Sequence, residues 1–322
     1  MYDYSMRKKV YQKFILGCEN PQSALKEGLG GVIFFAKDIQ SEAQVKTQVK
    51  KYKNEALISP FISIDQEGGR VERTEAIRPR RLSARNAFEK GEEFLKSQSE
   101  EISKELAEMG FNLNFAPCVD VNTNPKNPII GERAFSGKSL DVIKGSRVFI
   151  KASRKYGIIP CIKHFPGHGD ADSDSHLTLP KIDLSLEEMK TKHLKPFEVI
   201  INDGIEMVMV AHLHCTCFDD EALPTSLSQN AVGYLRNELN YNGVVITDDM
   251  NMKGVQDFGS LDACIMAIKS GVDMFIFRSS DDKTLSLIDE LANVVEEDDE
   301  LKNLVNKSYK RIMDLKRGCG LI

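Results

Sequence analysis

The residues best suited to chemistry lie in one stretch, Lys163-His164-Phe165-Pro166-Gly167-His168-Gly169-Asp170-Ala171-Asp172-Ser173-Asp174-Ser175-His176. It holds three of the chain's six histidines and three aspartates. Gly167 and Gly169 permit an irregular loop. Asp174 and His176 stand two apart, so an extended or turn backbone lets the carboxylate hold the imidazole. Such a pair orients the ring and raises its basicity, which suits a general acid/base. Two other readings fit the same residues: a solvated acidic loop, or a divalent-metal site built from Asp and His.

A second stretch, Gly243-Val244-Val245-Ile246-Thr247-Asp248-Asp249-Met250-Asn251-Met252, ends an apolar run in two carboxylates. An Asp directly after a buried strand is held rigidly. Asp248 could therefore be a nucleophile, a general base or a metal ligand. Asp249 should point elsewhere, because neighbours on a strand diverge, and helix capping is its bland role. Asp65 also ends an apolar run and could accept hydrogen bonds from hydroxyls. Lys163 and Arg133 supply positive charge. Arg133 could fork onto an oxygen-rich ligand, although taken alone it reads as a surface salt bridge.

His212-Leu213-His214-Cys215-Thr216-Cys217 offers four zinc-capable side chains within six residues. No second cluster supplies the spacing of known zinc modules. The segment also continues a strand, where neighbouring side chains diverge. Zinc is not expected, and the role of the cluster stays open.

These residues need elements to hold them. Apolar, β-rich runs at 14–18, 31–35, 61–65, 113–118, 158–164, 207–212, 243–248 and 274–278 alternate with charged segments of helical spacing. The latter include 42–52, 94–109, 139–156, 184–202 and 231–239. Most strand runs are continuously apolar, which predicts burial on both faces and parallel pairing. Eight β/α units suit a single (β/α)8 barrel better than an open sheet. No Gly- or Pro-rich linker divides the chain, so residues 1–322 are expected to form one domain, with a C-terminal helix over 300–315. In a barrel the active site gathers at the C-terminal ends of the strands. The polar residues Asp65, Lys163, His164, His212 and Asp248 fall at such ends.

The chain has 322 residues, 41% of them apolar and 28% charged, with a formal net charge of −5. That composition suits a folded globular protein rather than a disordered one. Mild acidity argues against a nucleic-acid partner or a polybasic membrane anchor. No apolar stretch approaches the ~18 residues needed to cross a bilayer. The short apolar run after the basic N-terminus lacks the length of a signal peptide. The seven cysteines sit mostly in apolar runs, which suits buried free thiols in a reducing compartment. A cytoplasmic location is expected, and the chain is expected to act as a monomer.

Four segments occur in order: IDQEGGRV (64–71), IIGERAF (129–135), KHFPGHGD…DSH (163–176) and ITDDMNMKG (246–254). Together they resemble the signatures of glycoside hydrolase family 3, in its β-N-acetylglucosaminidase branch, over most of the chain from about residue 30 to about residue 278. The resemblance implies a TIM-like barrel and a retaining exo-β-N-acetylhexosaminidase that releases terminal N-acetylglucosamine from peptidoglycan-derived muropeptides. Asp248 matches the family's nucleophile, which forms a covalent glycosyl-enzyme. His176 matches the general acid/base of this branch, and Asp174 its dyad partner. Asp65, Arg133, Lys163 and His164 match residues that hold the sugar. The resemblance implies a small carbohydrate as partner and no cofactor, metal or organic.

Larger relatives look for their acid in a second domain. With no room for one beside the barrel, the proton donor is expected from the barrel's own loops. A histidine acid ends neutral where a carboxylic acid ends as an anion, so an anionic acceptor meets less repulsion and phosphorolysis stays open. Two rivals remain. One is a metal-dependent barrel hydrolase using His164, His168, His176 and Asp248. The other is a sugar-binding barrel without catalysis. The unusual segment 214–217 leaves the aglycone unspecified.

Overall fold

The computed structural model describes residues 4–171 and 179–322. Asp174 and His176 lie outside the described residues.

Among the described residues there are ten strands: β1 (Phe14–Gly17), β2 (Gly31–Phe34), β3 (Phe61–Ile64), β4 (Leu113–Asn114), β5 (Ile159–Phe165), β6 (Lys181–Ile182), β7 (Met207–Val210), β8 (His214–Cys215), β9 (Val244–Asp249) and β10 (Met274–Phe277). Eight of them close a barrel in the order β1-β10-β9-β7-β5-β4-β3-β2, and β1 pairs with β2 to complete the ring. Every neighbouring pair around the ring is parallel. The two remaining strands, β6 and β8, form a small parallel ladder of their own.

The apolar runs are continuous because each strand faces two cores. Ile15, Ile33, Phe61, Leu113, Ile159, Met207, Val244 and Met274 fill the barrel interior. Phe14, Val32, Ile62, Ile162, Val208, Val245 and Phe275 face the surrounding helices. Alternate residues go opposite ways, as the pleat requires. The last helix, Asp299–Gly318, extends its predicted range and contributes Ile312 to the interior core. Its Lys316 Nζ donates to Gln12 Oε1 and to the carbonyls of Gly30 and Ser59. These three partners precede β1, β2 and β3, so this helix stoppers the N-terminal end of the barrel.

Two expected elements differ. The fourth run pairs only over Leu113–Asn114, followed by a bridge from Cys118 to Lys163. Pro117 lacks the N–H that a longer ladder needs. The helix expected over 184–202 is two, Leu186–Thr191 and Leu194–Asn202. Pro196 cannot bond back to residue 192, and its ring collides with a helical carbonyl there, so the helix restarts. Among the described residues no helix is long and apolar enough to cross a membrane.

Candidate active site

The barrel's C-terminal mouth holds a cavity of about 290 Å³. Asp65 follows β3, Lys163 and His164 lie on β5, Asp248 lies on β9, and Arg133 ends the short turn Gly131–Arg133. All five line this cavity. Residues 65 to 248 in sequence are thus brought to one rim.

Their charges alternate. Lys163 Nζ lies 2.6 Å from Asp65 Oδ1 and 2.7 Å from Glu67 Oε1. Glu67 also receives Arg133 as a fork, with Nε at 2.9 Å and an Nη at 2.8 Å. The Arg133 side chain is only 11% exposed, so it is not the surface salt bridge that its sequence context suggests in isolation. Burial disfavours an ionised Glu67, but Arg133 and Lys163 together outweigh it and hold this carboxyl below its usual range. Burial likewise works against a charged Lys163, and Asp65 and Glu67 overcome it and raise the ammonium's pKa. Glu67 thereby occupies both cations from behind, leaving Asp65, partly exposed at the cavity, to accept hydroxyl donors.

Asp120 organises the next piece. Fully buried, it takes the His164 ring Nδ1 at 2.7 Å, the His168 backbone N–H at 2.6 Å and the Cys118 thiol at 3.1 Å. The other ring nitrogen of His164 faces an Arg133 Nη at 3.3 Å. Arginine can only donate, so Nε2 must present its lone pair and Nδ1 carries the proton toward Asp120. Burial, the neighbouring charged groups aside, drops His168 to about 4, so its ring is neutral. Neither His168 nitrogen has a partner among the described residues.

The glycines of this loop serve packing. A Cβ on Gly169 would stand 1.8 Å from the Val121 carbonyl oxygen, and one on Gly167 would stand 2.7 Å from His193 Cβ. Gly167 also has φ of +122°. Only glycine allows the chain to approach so closely.

Asp248 is the carboxylate in the wall opposite. Its Oδ1 accepts the Asp249 N–H at 2.7 Å. Burial penalises its charge, but His164, His212, the Asp249 amide and Lys163 outweigh that and lower its pKa. It is an anion at neutral pH. His212 ends the sixth run and binds Ser226 Oγ through Nδ1 at 2.7 Å. Burial lowers its pKa, so it is a neutral ring beside Asp248. Asp249, expected to point elsewhere, lines the same cavity as Asp248, and it caps no helix. The next helix begins after Met252. Asp249 instead pairs with Arg278 Nε and accepts the Asn251 N–H at 3.0 Å, tying β9 to the end of β10.

The metal readings meet a poor ligand geometry. His164 presents one nitrogen to Asp120 and the other to a guanidinium, which repels a cation. His168 and Asp248 do not join it in a common ligand set among the described residues, where Cys118, Asp120 and His164 are the grouping close enough to share an ion. His212 and His214 also diverge. The first reaches Ser226, whereas His214 Nε2 meets the Asp219 carbonyl at 2.9 Å.

Three participants escaped the sequence reading. Glu67 sits inside the segment 64–71, but nothing in one dimension says that it bridges two cations from distant loops. Asp120 follows an apolar run, the same signal that pointed to Asp65 and Asp248, yet the proline-broken fourth strand hid it. Arg278 closes the eighth run and was read only as its boundary.

An eight-stranded parallel barrel with buried, oppositely charged side chains at its C-terminal mouth defines a class of (β/α)8 proteins whose sites sit at that face. Within that class the chain belongs to glycosyl hydrolase family 3: the model for that family's N-terminal domain matches residues 6–315. Beta-hexosaminidase A of Pseudoalteromonas piscicida is 32% identical over 317 residues, covering 89% of this chain and 53% of that protein. A beta-hexosaminidase of Photobacterium profundum is 35% identical over 272 residues, covering 83% of this chain and 79% of the relative. Among solved structures, the family 3 β-N-acetylglucosaminidase of Paenibacillus sp. strain FPU-7 superposes with a TM-score of 0.93 at 30% identity. That match covers 99% of this chain and 63% of the other. The chain thus spans about half the length of the first relative and under two thirds of this structural neighbour.

Proposed function

We propose that this chain is a retaining exo-β-N-acetylhexosaminidase that removes terminal N-acetylglucosamine from peptidoglycan-derived muropeptides in the cytoplasm. The observation that carries the reading is Asp248. It is an ionised carboxylate in the wall of a sugar-sized cavity, with one oxygen steadied by the Asp249 amide. In this reading Asp248 attacks the anomeric carbon and forms a glycosyl-enzyme. His176, oriented by Asp174, protonates the leaving oxygen and then deprotonates the incoming water. Asp65 and Arg133 hold sugar oxygens, while Lys163 and His164 fix the charge and orientation around them. The relatives' names as beta-hexosaminidases support the sugar. Free thiols throughout the chain support a reducing compartment. No step needs a cofactor, and the chain works as a monomer on a small carbohydrate.

The test is a fluorinated slow N-acetylglucosaminide followed by peptide mass spectrometry. The expected result is one glycosyl adduct, on Asp248. An adduct on another residue, or turnover without any adduct, overturns the assignment.

A further inference from the structure

The cysteines that fit no zinc module meet in a different way. Cys215 ends β8, and the chain turns at once: the Phe218 N–H donates to the Cys215 carbonyl at 3.0 Å. That turn puts two sulfurs of an i, i+2 pair on one side, with Cys215 Sγ and Cys217 Sγ 3.3 Å apart. A disulfide needs about 2.05 Å between sulfurs. The remaining gap is within reach of side-chain rotation and a small turn adjustment.

We infer that Cys215 and Cys217 form a thiol–disulfide exchange site, with Cys217 as the attacking thiol and Cys215 as the resolving one. The substrate class is a small disulfide of the glutathione type. Access separates the two roles, because Cys217 is half-buried whereas Cys215 is buried. Chemistry separates them in the same direction. The contact with Cys215 lowers the pKa of Cys217, and the reciprocal contact, with burial, raises that of Cys215. A thiolate is the nucleophile in exchange.

The steps balance. Cys217 loses its proton and attacks one sulfur of the small disulfide. That S–S bond breaks, one small thiolate leaves, and a mixed disulfide remains on Cys217. Cys215 then loses its proton and attacks Cys217 Sγ, expelling the second small thiolate. The two cysteines are oxidised by two electrons, the small disulfide is reduced to two thiols, and the two protons end on those thiols.

The surroundings anchor the turn without blocking it. Cys215 pairs with Ile182 across the β6–β8 ladder, and the Thr216 N–H donates to the Ile182 carbonyl at 3.0 Å. Thr216 Oγ1 reaches Asp183 at 2.9 Å. The resolving thiol is thus held in a fixed ladder while the attacking thiol sits in the turn beyond it.

The experiment equilibrates the full chain with graded mixtures of glutathione and glutathione disulfide. Remaining thiols are then blocked with iodoacetamide after an acid quench, and the digest is weighed. The expected result is a peptide carrying Cys215 and Cys217 that has lost two hydrogens and takes up no blocking group. In Cys215→Ser, glutathione should persist on Cys217, with adduct about tenfold above that of the unaltered chain. The inference is overturned if both cysteines stay blockable at disulfide levels that load exposed Cys319. It is also overturned if the adduct on Cys217 is equally abundant with and without Cys215. The unaltered chain alone decides the first point, so a variant that fails to fold does not shield the idea.

Discussion

Glu67 grips Arg133 with two nearly parallel bonds of 2.8 and 2.9 Å, and the same carboxylate lies 2.7 Å from Lys163 Nζ. Removing that charge leaves buried Arg133 without its carboxylate partner and Lys163 with Asp65 alone. Glu67→Gln should therefore lose about 3 kcal/mol or more of stability, read as a fall of several degrees in Tm. An unchanged Tm would show that the two cations do not need the Glu67 charge. The linkage has a definite sign. The folded carboxyl titrates below its unfolded value, so its contribution is complete above the ordinary glutamate range and drains away as acid protonates it.

Asp120 acts on the cavity through the His164 ring and through the His168 backbone N–H. Asp120→Asn keeps the shape but can present an N–H where the His164 ring nitrogen needs an acceptor. Activity on an aryl N-acetylglucosaminide should fall by about tenfold to a hundredfold, with a rise in KM if His164 mainly positions the sugar. Equal kinetics in the variant would remove Asp120 from this role.

In the proposed mechanism Asp248 must be ionised to attack. Its pKa is lowered against the penalty of burial by His164, His212, the Asp249 amide and Lys163. The acid limb of kcat/KM should consequently lie below the ordinary aspartate range, with activity lost as pH falls through it. His176 should set the alkaline limb, since it must start protonated. Asp248→Ala should abolish nearly all turnover. His176→Ala should harm substrates with poor leaving groups most, because activated aryl glycosides need little protonation. A variant equally slow on both kinds would speak against His176 as the acid.

Water and phosphate can be told apart by the product. With an aryl N-acetylglucosaminide the expected sugar is free N-acetylglucosamine, with or without added phosphate. Accumulation of the 1-phosphate would make the enzyme a phosphorylase. Exhaustive chelation should leave the rate unchanged, whereas its loss would favour the metal-dependent rival.

Ile312 is fully buried in the barrel interior, at the end opposite the cavity. Ile312→Ala should cost about 2–5 kcal/mol through a cavity the barrel cannot collapse around, measured by denaturant unfolding. Little change in KM is expected, because the stopper and the cavity lie at opposite ends of the barrel.

The barrel was legible because its signal is periodic and local: eight apolar runs, each buried on both faces, can hardly be read otherwise. The rim positions of Asp65, Lys163, His164 and Asp248 followed from the fold's geometry, since each ends such a run. Glu67 and Asp120 were not legible in their roles. Both act through charges contributed by other loops, and one-dimensional spacing carries no information on which loops meet. Asp249 shows the same limit, because its partner Arg278 belongs to the next strand. Cys215 and Cys217 are free thiols, as expected, but the 3.3 Å approach of their sulfurs was not legible, because it depends on the turn that follows β8.

Phe14 stands beside Phe275 in the ring, so the first and last staves are neighbours. The barrel cannot shut until Phe277 has left the ribosome. Until then the edge of β1 that faces β10 offers unpaired backbone to anything nearby. Slow closure is the kinetic signature expected of so distant a pairing, and a chaperone's help during synthesis would matter more here than in a protein whose neighbours in space are neighbours in sequence.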